Sequence, residues 1–247
     1  MKSLSLMAFA LILSVHTASP ANAAESKPKY GPMANVLSQS HDYFKSAPAP
    51  DFWALIPYYA AQMDESACSV ASVTMITNGA RVGKKLTADD ELVTQQAIAE
   101  KVLHKAWHKG MMKKAMGYST NLDELGEIAR EAFEKYGIHV KSVEVVHADA
   151  IDEKTKAKLH EALVENEKSA HDFILLNFNQ KVFTGDAEVG HISPIGAYDE
   201  KNHKVLVMDP DRKWYEPYWV SEETLLMGMA TKDSSTQRNR GFVWIKF

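Results

Sequence analysis

The alternation of apolar and polar residues predicts helices in the first half of the chain. Small and apolar side chains run almost without a break from Cys68 to Gly79, which predicts a buried helix with Cys68 in its first turn. Residues 87–106 have helical spacing with acids early and lysines late, the order that the helix dipole favours. A third helix is predicted over 120–136.

Both ends of this third helix are marked in the sequence. Thr120 followed three residues later by Asp123 predicts its N-terminal cap, and Gly137 predicts its end. The residues between them recur at helical spacing and form one apolar stripe of Leu122, Leu125, Ile128, Ala129, Ala132 and Phe133.

The second half of the chain is predicted to be rich in strands. These strands are expected over 140–146, 173–178, 192–198, 204–208 and 242–245. The third and fourth form a hairpin with a polar loop over 199–203. Helical stretches are expected around Leu159 and from Ser221 to Met229. Helices first and strands afterwards predict the α+β class.

The N-terminus has the pattern of an export signal. A lysine at position 2 is followed by an apolar run that is too short to span a bilayer and then by Ala21-Asn22-Ala23, a small-x-small cleavage pattern. The sequence therefore predicts a signal peptide over 1–23, an extended arm over 24–50 and one domain over 51–247. The protein is expected to be periplasmic or secreted, with no membrane partner after cleavage.

Composition and charge exclude several classes of protein. The chain has 247 residues, of which 45% are hydrophobic, and this is enough for a folded core. Its 28 basic and 32 acidic residues leave a net charge of −4, so nucleic acid is not an expected partner. The single cysteine, Cys68, excludes an intrachain disulfide and a multi-cysteine metal cluster. A buried apolar role, an intermolecular bridge or a reactive thiol remain for it.

The position of Cys68 favours the reactive thiol. Unpaired N–H groups and the dipole at a helix start stabilise a thiolate. His191 lies at the edge of the predicted hairpin as a candidate base, and Asp209, at the end of the returning strand, can fix its tautomer. Gln62, upstream of the nucleophile, is the candidate donor to a developing oxyanion.

These residues lie in stretches that resemble a known family. Gln62–Gly79, the run GHISPIGAY over 190–198 and the run VMDPDR over 207–212 are similar to the catalytic domain of phytochelatin synthases, which belong to the papain-like cysteine peptidase clan. The resemblance covers roughly residues 50–247. It implies a papain-like fold, with a helical lobe that carries the nucleophile and a β-rich lobe that carries the histidine and the acid.

The resemblance also implies a reaction. Cys68 would attack the Cys–Gly bond of glutathione, glycine would leave, and the γ-glutamylcysteinyl thioester would pass to water or to a second glutathione. Arg240 would bind the γ-glutamyl carboxylate and Asp233 its amino group. Gly190 and Arg212, within the matching runs, are assigned to the substrate site as well.

No cofactor and no metal-binding residue is assigned to the protein. Heavy-metal ions such as cadmium enter as activators or as a metal–glutathione substrate. The oligomeric state is open, a homodimer included. Ser69, where the family usually has glycine, Ala67, where it often has an aromatic residue, and Gln180, where an arginine is expected, depart from the pattern. Since they lie around the expected acceptor region, water is expected to be the main acceptor.

Two alternatives stay open at this stage. The protein could be a general papain-like peptidase that acts on longer peptides. It could also be a non-enzymatic exported metal-binding module, because His104 and His108 are four residues apart on a predicted helix and Met111, Met112 and Met116 follow. A solvated basic face and core packing are the plainer interpretations of these residues.

Overall fold

The structure is a computed structural model that describes residues 28–107 and 120–247. The predicted signal peptide 1–23 lies outside these ranges, and so do His108, Met111, Met112 and Met116. None of the helices in the described ranges has the length and apolarity needed to cross a membrane.

Helices and one antiparallel sheet make up this part of the chain. The helices are α1 (Pro50–Leu55), α2 (Cys68–Gly79), α3 (Gln95–Lys101), α4 (Leu122–Lys135), α5 (Glu153–Asn166), α6 (Gln180–Thr184) and α7 (Glu222–Met229). The strands are β1 (Asn35–Val36), β2 (Ser142–His147), β3 (Asp172–Asn179), β4 (Gly190–Asp199), β5 (Lys204–Val207), β6 (Tyr218–Ser221) and β7 (Gly241–Lys246). The sheet order is β1-β6-β5-β4-β3-β7-β2, with every neighbouring pair antiparallel. The α+β prediction is confirmed.

The sheet has a hydrophobic core on each face. Strand β3 shows why, because its alternate residues enter different clusters: Phe173 and Leu175 pack with α2 and α4, whereas Ile174 and Leu176 pack with α5 and α7. The sequence of a strand that is buried on both faces is a continuous run of apolar residues. Helix α2 is buried from its second residue to its last, and its polar side chains find partners inside the protein, as the Ser72 hydroxyl does with the carbonyl of Ile192 at 3.0 Å.

Helix α4 forms as predicted but has a different cap. The side chain of Asn121 accepts from the N–H of Glu124 at 3.0 Å, and the Glu124 carboxylate accepts from the N–H of Asn121 at 3.1 Å. The prediction of Thr120 and Asp123 as the cap is therefore wrong by one residue, because the reciprocal capping box satisfies two N–H groups at once. Gly137 ends the helix at φ +65°, and the predicted apolar stripe is buried.

The predicted helix over 87–106 is shorter in the structure. Helix α3 begins at Gln95, after Thr94 accepts from the N–H of Ala97 at 3.1 Å. Upstream, the Asp90 carboxylate accepts from the N–H of Thr87 at 2.7 Å. Side chains that bond the nearby backbone in this way compete with helix formation, which explains the later start.

The segment from 28 to 50 is more regular than the extended arm that the sequence predicts. Strand β1 pairs with β6 at the edge of the sheet. The Tyr43 hydroxyl donates to the carbonyl of Tyr198 at 2.9 Å, and Ala49 is fully buried. Aromatic contacts with Trp219 account for this order, since they bury rings that an extended arm would expose.

A buried acid in α1 carries a pH-dependent stability. Asp51 is 1% exposed, and neither of its oxygens has a hydrogen-bond partner within 28–107 and 120–247. Burial raises the pKa of Asp51 well above its usual value, and the charges of Asp172 and Glu167 raise it further. The folded chain therefore keeps a proton that the unfolded chain releases above about pH 4, so stability falls as pH rises from there toward the folded pKa.

We expect Asp51→Asn to raise the melting temperature, and to raise it more at pH 8 than at pH 4, because the amide carries no charge to bury. Thermal unfolding at several pH values checks this. Asp42→Asn is the matched control, since Asp42 is an exposed acid paired with Lys45. A melting temperature that is equally affected by Asp51→Asn at both pH values would contradict the argument.

Candidate active site

Cys68 is the first residue of α2, and its side chain is only partly buried. Ala67 precedes it at the capping position. An alanine cannot supply the acceptor that Ser, Thr, Asp or Asn would place on the first-turn N–H groups. The thiol therefore lies at a helix start whose own cap residue leaves these donors to other partners.

The hairpin of β4 and β5 brings His191 and Asp209 together. His191 is the second residue of β4, Asp209 follows β5, and the N–H of Met208 donates to the carbonyl of Pro194 at 3.0 Å between them. The imidazole Nε2 lies 2.7 Å from the Asp209 Oδ1. Both residues are buried, with Asp209 fully so. The register of one antiparallel pair therefore fixes the base against its carboxylate.

The surroundings of the His191 imidazole favour its protonated form. Burial alone would lower the pKa of His191, but the charge and hydrogen bond of Asp209 and the hydrogen bond with Cys68 outweigh burial and raise it well above its usual value. Because Nε2 is taken by Asp209, Nδ1 is the nitrogen left for the thiol. A cationic imidazole beside a cysteine is the arrangement that activates a thiol as a nucleophile.

Two residues that sequence reasoning missed complete the surroundings of Asp209. Gln180 Nε2 donates to Oδ2 at 3.2 Å, and the Tyr218 hydroxyl donates to the same oxygen at 2.9 Å. The N–H of Asp211 donates to Oδ1 at 2.9 Å. Burial and then the Asp209 charge raise the pKa of Tyr218, so it remains a donor. Gln180, noted only as a departure from the expected arginine, thus contacts the Asp209 carboxylate directly.

Gln62 is attached through its backbone to the turn of residues 209–211, the acidic turn that follows β5. Its N–H donates to the carbonyl of Pro210 at 2.8 Å, and the Tyr59 hydroxyl donates to the carbonyl of Asp209 at 2.6 Å. Gln62 Oε1 is buried and has no hydrogen-bond partner among the residues that the structure describes. The turn after β5 therefore ties the segment before α2 to the histidine hairpin.

Arg240 lies beside the histidine strand. A Cβ on Gly190 would come within 3.0 Å of Arg240 Nη2 and 3.3 Å of its Nε, so only glycine leaves room for the guanidinium there. Arg240 is 6% exposed, and Nη1 donates to the Thr231 hydroxyl at 3.1 Å and to the carbonyl of Lys232. Its Nε has no partner in the described part of the chain. A buried cation with a free donor suits an anionic ligand.

The remaining predicted residues fall in two places. Asp233 is 4% exposed and opposes, by its charge, the lowering of the Arg240 pKa that burial causes. One of its oxygens accepts from the N–H of Ser235 at 2.8 Å. Arg212 is exposed, and its guanidinium lies over the Tyr59 ring at 4.5 Å. The structure thus groups Asp233, Arg240 and Gly190 and leaves Arg212 on the surface beyond the acidic turn.

Ser69 and His104 both have bonds that the sequence did not indicate. The Ser69 hydroxyl accepts from the Trp107 indole at 3.0 Å and lies 3.0 Å from the Thr120 hydroxyl. The Ser69 side chain, at the position after Cys68, therefore has a structural role, because it connects the start of α2 to Trp107 and Thr120. The His104 ring pairs with Glu127 of α4 at 2.9 Å, so an acid is present beside it.

Comparisons with known proteins identify relatives of this chain. A family model described as phytochelatin synthase matches residues 33–242, beginning inside the predicted arm. Glutathione gamma-glutamylcysteinyltransferase 3 of Lotus japonicus is 25% identical over 201 residues, which cover 78% of this chain and 37% of that protein. Glutathione gamma-glutamylcysteinyltransferase 2 of Arabidopsis thaliana is 26% identical over 200 residues, covering 78% and 39%. The chain spans under two-fifths of the length of these curated relatives.

We expect Asp209→Asn to slow alkylation of Cys68 by iodoacetamide near pH 6. Loss of the carboxylate lowers the pKa of His191, so less imidazolium remains near neutral pH to stabilise a thiolate on Cys68. The rate at pH 6 should therefore fall, since each pKa unit is about a tenfold change in a protonation equilibrium. Above about pH 10 the two rates should converge, because the thiol then ionises unaided.

Asp211→Asn is the matched control for this measurement. It removes a half-buried carboxylate two residues away but keeps the backbone N–H that Asp209 accepts. Its profile should stay close to that of the unaltered chain. Superimposable profiles for Asp209→Asn and the unaltered chain would show that the carboxylate does not support the ion pair.

Proposed function

This chain belongs to the phytochelatin synthase family, and we propose from that membership and from the site geometry that it is a papain-like cysteine enzyme that cleaves the Cys–Gly bond of glutathione. The observation that carries the proposal is the juxtaposition along one strand of two features. His191 joins Asp209 and Cys68, and the preceding Gly190 leaves space for the buried Arg240 guanidinium. The first feature supplies the groups needed for acyl transfer, and the Arg240 guanidinium supplies a binding place for a carboxylate.

The first half-reaction is acylation of the thiol. The Cys68 thiolate attacks the carbonyl carbon of the Cys–Gly bond, and the developing oxyanion faces the start of α2 and the Gln62 amide. The proton on His191 passes to the nitrogen of glycine as the C–N bond breaks. Glycine leaves, and a γ-glutamylcysteinyl thioester remains on Cys68.

The second half-reaction regenerates the free enzyme from the thioester. His191, now neutral, takes a proton from the acceptor as the acceptor attacks the thioester, and Cys68 leaves as thiolate. Water as acceptor gives γ-glutamylcysteine, and the amino group of a second glutathione gives a longer γ-peptide. We favour water as the acceptor, because Ser69 and Gln180 depart from the family pattern. The side chains of both are hydrogen-bonded to other residues of this chain.

Recognition of the γ-glutamyl end is assigned to Arg240 and Asp233. The guanidinium has a free Nε beside Gly190, and a planar fork suits a carboxylate. Asp233 supplies the negative charge for the α-amino group. Since the substrate thiol takes no part in this chemistry, a metal–glutathione complex of a cation such as cadmium can serve as substrate. We further propose that the chain acts after export, in the periplasm or outside the cell.

Incubation of the purified chain with glutathione, with and without cadmium, tests the reaction. Mass spectrometry should detect mainly γ-glutamylcysteine and glycine, with few longer γ-peptides. Cys68→Ala should abolish turnover while leaving the melting temperature nearly unchanged, because the side chain is only partly buried.

An unchanged rate in Cys68→Ala would overturn the mechanism. A dominant ladder of γ-peptides would keep the enzyme and correct the acceptor. Strong cleavage of α-linked peptides together with no turnover of glutathione would favour the general peptidase instead.

Gly190→Ala and Arg240→Lys test the recognition of the substrate. A methyl group at Gly190 must displace the guanidinium, and lysine cannot form the planar fork. We expect kcat/KM for glutathione to fall by roughly 10- to 100-fold in each, since a hydrogen bond to a charged group contributes about 1.5–3 kcal/mol.

Arg238→Lys is the matched control, because Arg238 is an exposed arginine two positions away that pairs with Asp123. It should leave kcat/KM nearly unaltered. Equal effects of the two lysine variants would remove Arg240 from the substrate site. The rate of Cys68 alkylation is measured separately in each variant, and it shows whether the reactivity of the thiol has changed.

A further inference from the structure

A cluster of metal-binding side chains lies away from the thiol. His160 of α5, His203 in the turn before β5 and Glu222 at the start of α7 each offer a ligand atom, and these atoms lie within 4.8 Å of one another. Tyr198, near the end of β4, joins them with its hydroxyl. His191 is near the other end of this strand, roughly 20 Å away at about 3.3 Å per residue.

The distances in this cluster match those of a metal site. His160 Nδ1 lies 3.3 Å from one oxygen of Glu222, and His203 Nδ1 lies 3.4 Å from the other. Tetrahedral coordination with bonds of about 2.0–2.1 Å requires ligand atoms about 3.3–3.4 Å apart. Both nitrogen–oxygen distances therefore fit such a site, and the two nitrogens lie within 4.8 Å of each other.

A further shell orients the carboxylate. The Tyr198 hydroxyl donates to Glu222 Oε2 at 2.9 Å and lies 3.2 Å from His160 Nδ1. The N–H of Glu222 donates to the carbonyl of His203 at 2.9 Å, which fixes two of the ligands to each other. Such outer partners are typical of metal-binding carboxylates.

The surroundings favour a cation and give it access. Glu200 and Asp199 add negative charge near the Tyr198 hydroxyl. Lys156 lines the neighbouring groove, but its ammonium is paired with Glu153 at 2.8 Å. The side chains of His160 and His203 are 43% and 66% exposed, so an ion can reach them from solvent.

We propose that His160, His203 and Glu222 form a binding site for a divalent transition-metal ion, with Zn²⁺ as the best match to two imidazoles and one carboxylate. The site leaves a coordination position open to water. It joins α5, the turn before β5 and α7, so the bound ion would crosslink three elements of one face of the fold. The proposal does not depend on the reaction at Cys68.

The test measures binding of Zn²⁺ alone to the full chain carrying Cys68→Ser, so that no thiolate competes for the ion. Titration calorimetry should give one Zn²⁺ per chain, and Co²⁺ should give the absorption of a four-coordinate site. His160→Gln and His203→Asn should each weaken binding by about a hundredfold or more, since loss of an outer-shell partner alone costs about 10- to 100-fold. Tyr198→Phe should fall within that smaller range.

The variants are chosen to keep the fold. His203 has φ +49°, a conformation that asparagine tolerates, and circular dichroism without metal checks the others. If His160→Gln does not fold, the comparison of the unaltered chain with His203→Asn still decides the matter, by the rise in melting temperature that Zn²⁺ produces.

His104→Gln is the matched control, because His104 also pairs with a glutamate but with one that has no second imidazole nearby in the described ranges. It should bind Zn²⁺ like the unaltered chain. Absence of saturable binding, or full affinity in both His160→Gln and His203→Asn, would overturn the proposal. Loss of binding in His104→Gln alone would place the ion elsewhere and overturn it as well.

Discussion

The carboxylate of Asp209 has no exposed surface, and four donors from different parts of the fold converge on it. They are the imidazole of His191, the amide of Gln180, the hydroxyl of Tyr218 and the N–H of Asp211. A buried carboxylate is tolerated only when such partners surround it. The strands and the helix that carry these donors must therefore assemble before the base can be oriented.

The same turn also connects the helical half of the chain to the sheet. Tyr59 and Gln62 bond the carbonyls of Asp209 and Pro210, just upstream of the helix that begins at Cys68. Cys68, Gln62 and Asp209 are thus linked through one short stretch of backbone. A shift of this turn would move all three together, so the geometry of the site is more tightly fixed than the partly exposed cysteine alone suggests.

Sequence reasoning succeeded where the signal is local. The apolar run that starts at Cys68 and the hairpin that carries His191 and Asp209 are visible as periodicity and turn chemistry, and they predicted α2, β4 and β5. The shortfalls come from bonds between distant segments. Gln180 reaches Asp209 from another element, and the proposed metal site draws on three elements, so no spacing along the chain reveals either.

Two buried charged groups beside His191 illustrate opposite uses of burial. Asp209 is surrounded by the protein's own donors, and its hydrogen bond to His191 orients the imidazole and raises its pKa. Arg240 is nearly as buried, yet its Nε is left without a partner in the described part of the chain. A buried donor without a partner lowers the stability of the unliganded fold, and binding of an anion removes this cost. Under the proposed function, the complete pairing of Asp209 holds the imidazole rigid, whereas the incomplete pairing of Arg240 leaves a donor for a substrate carboxylate.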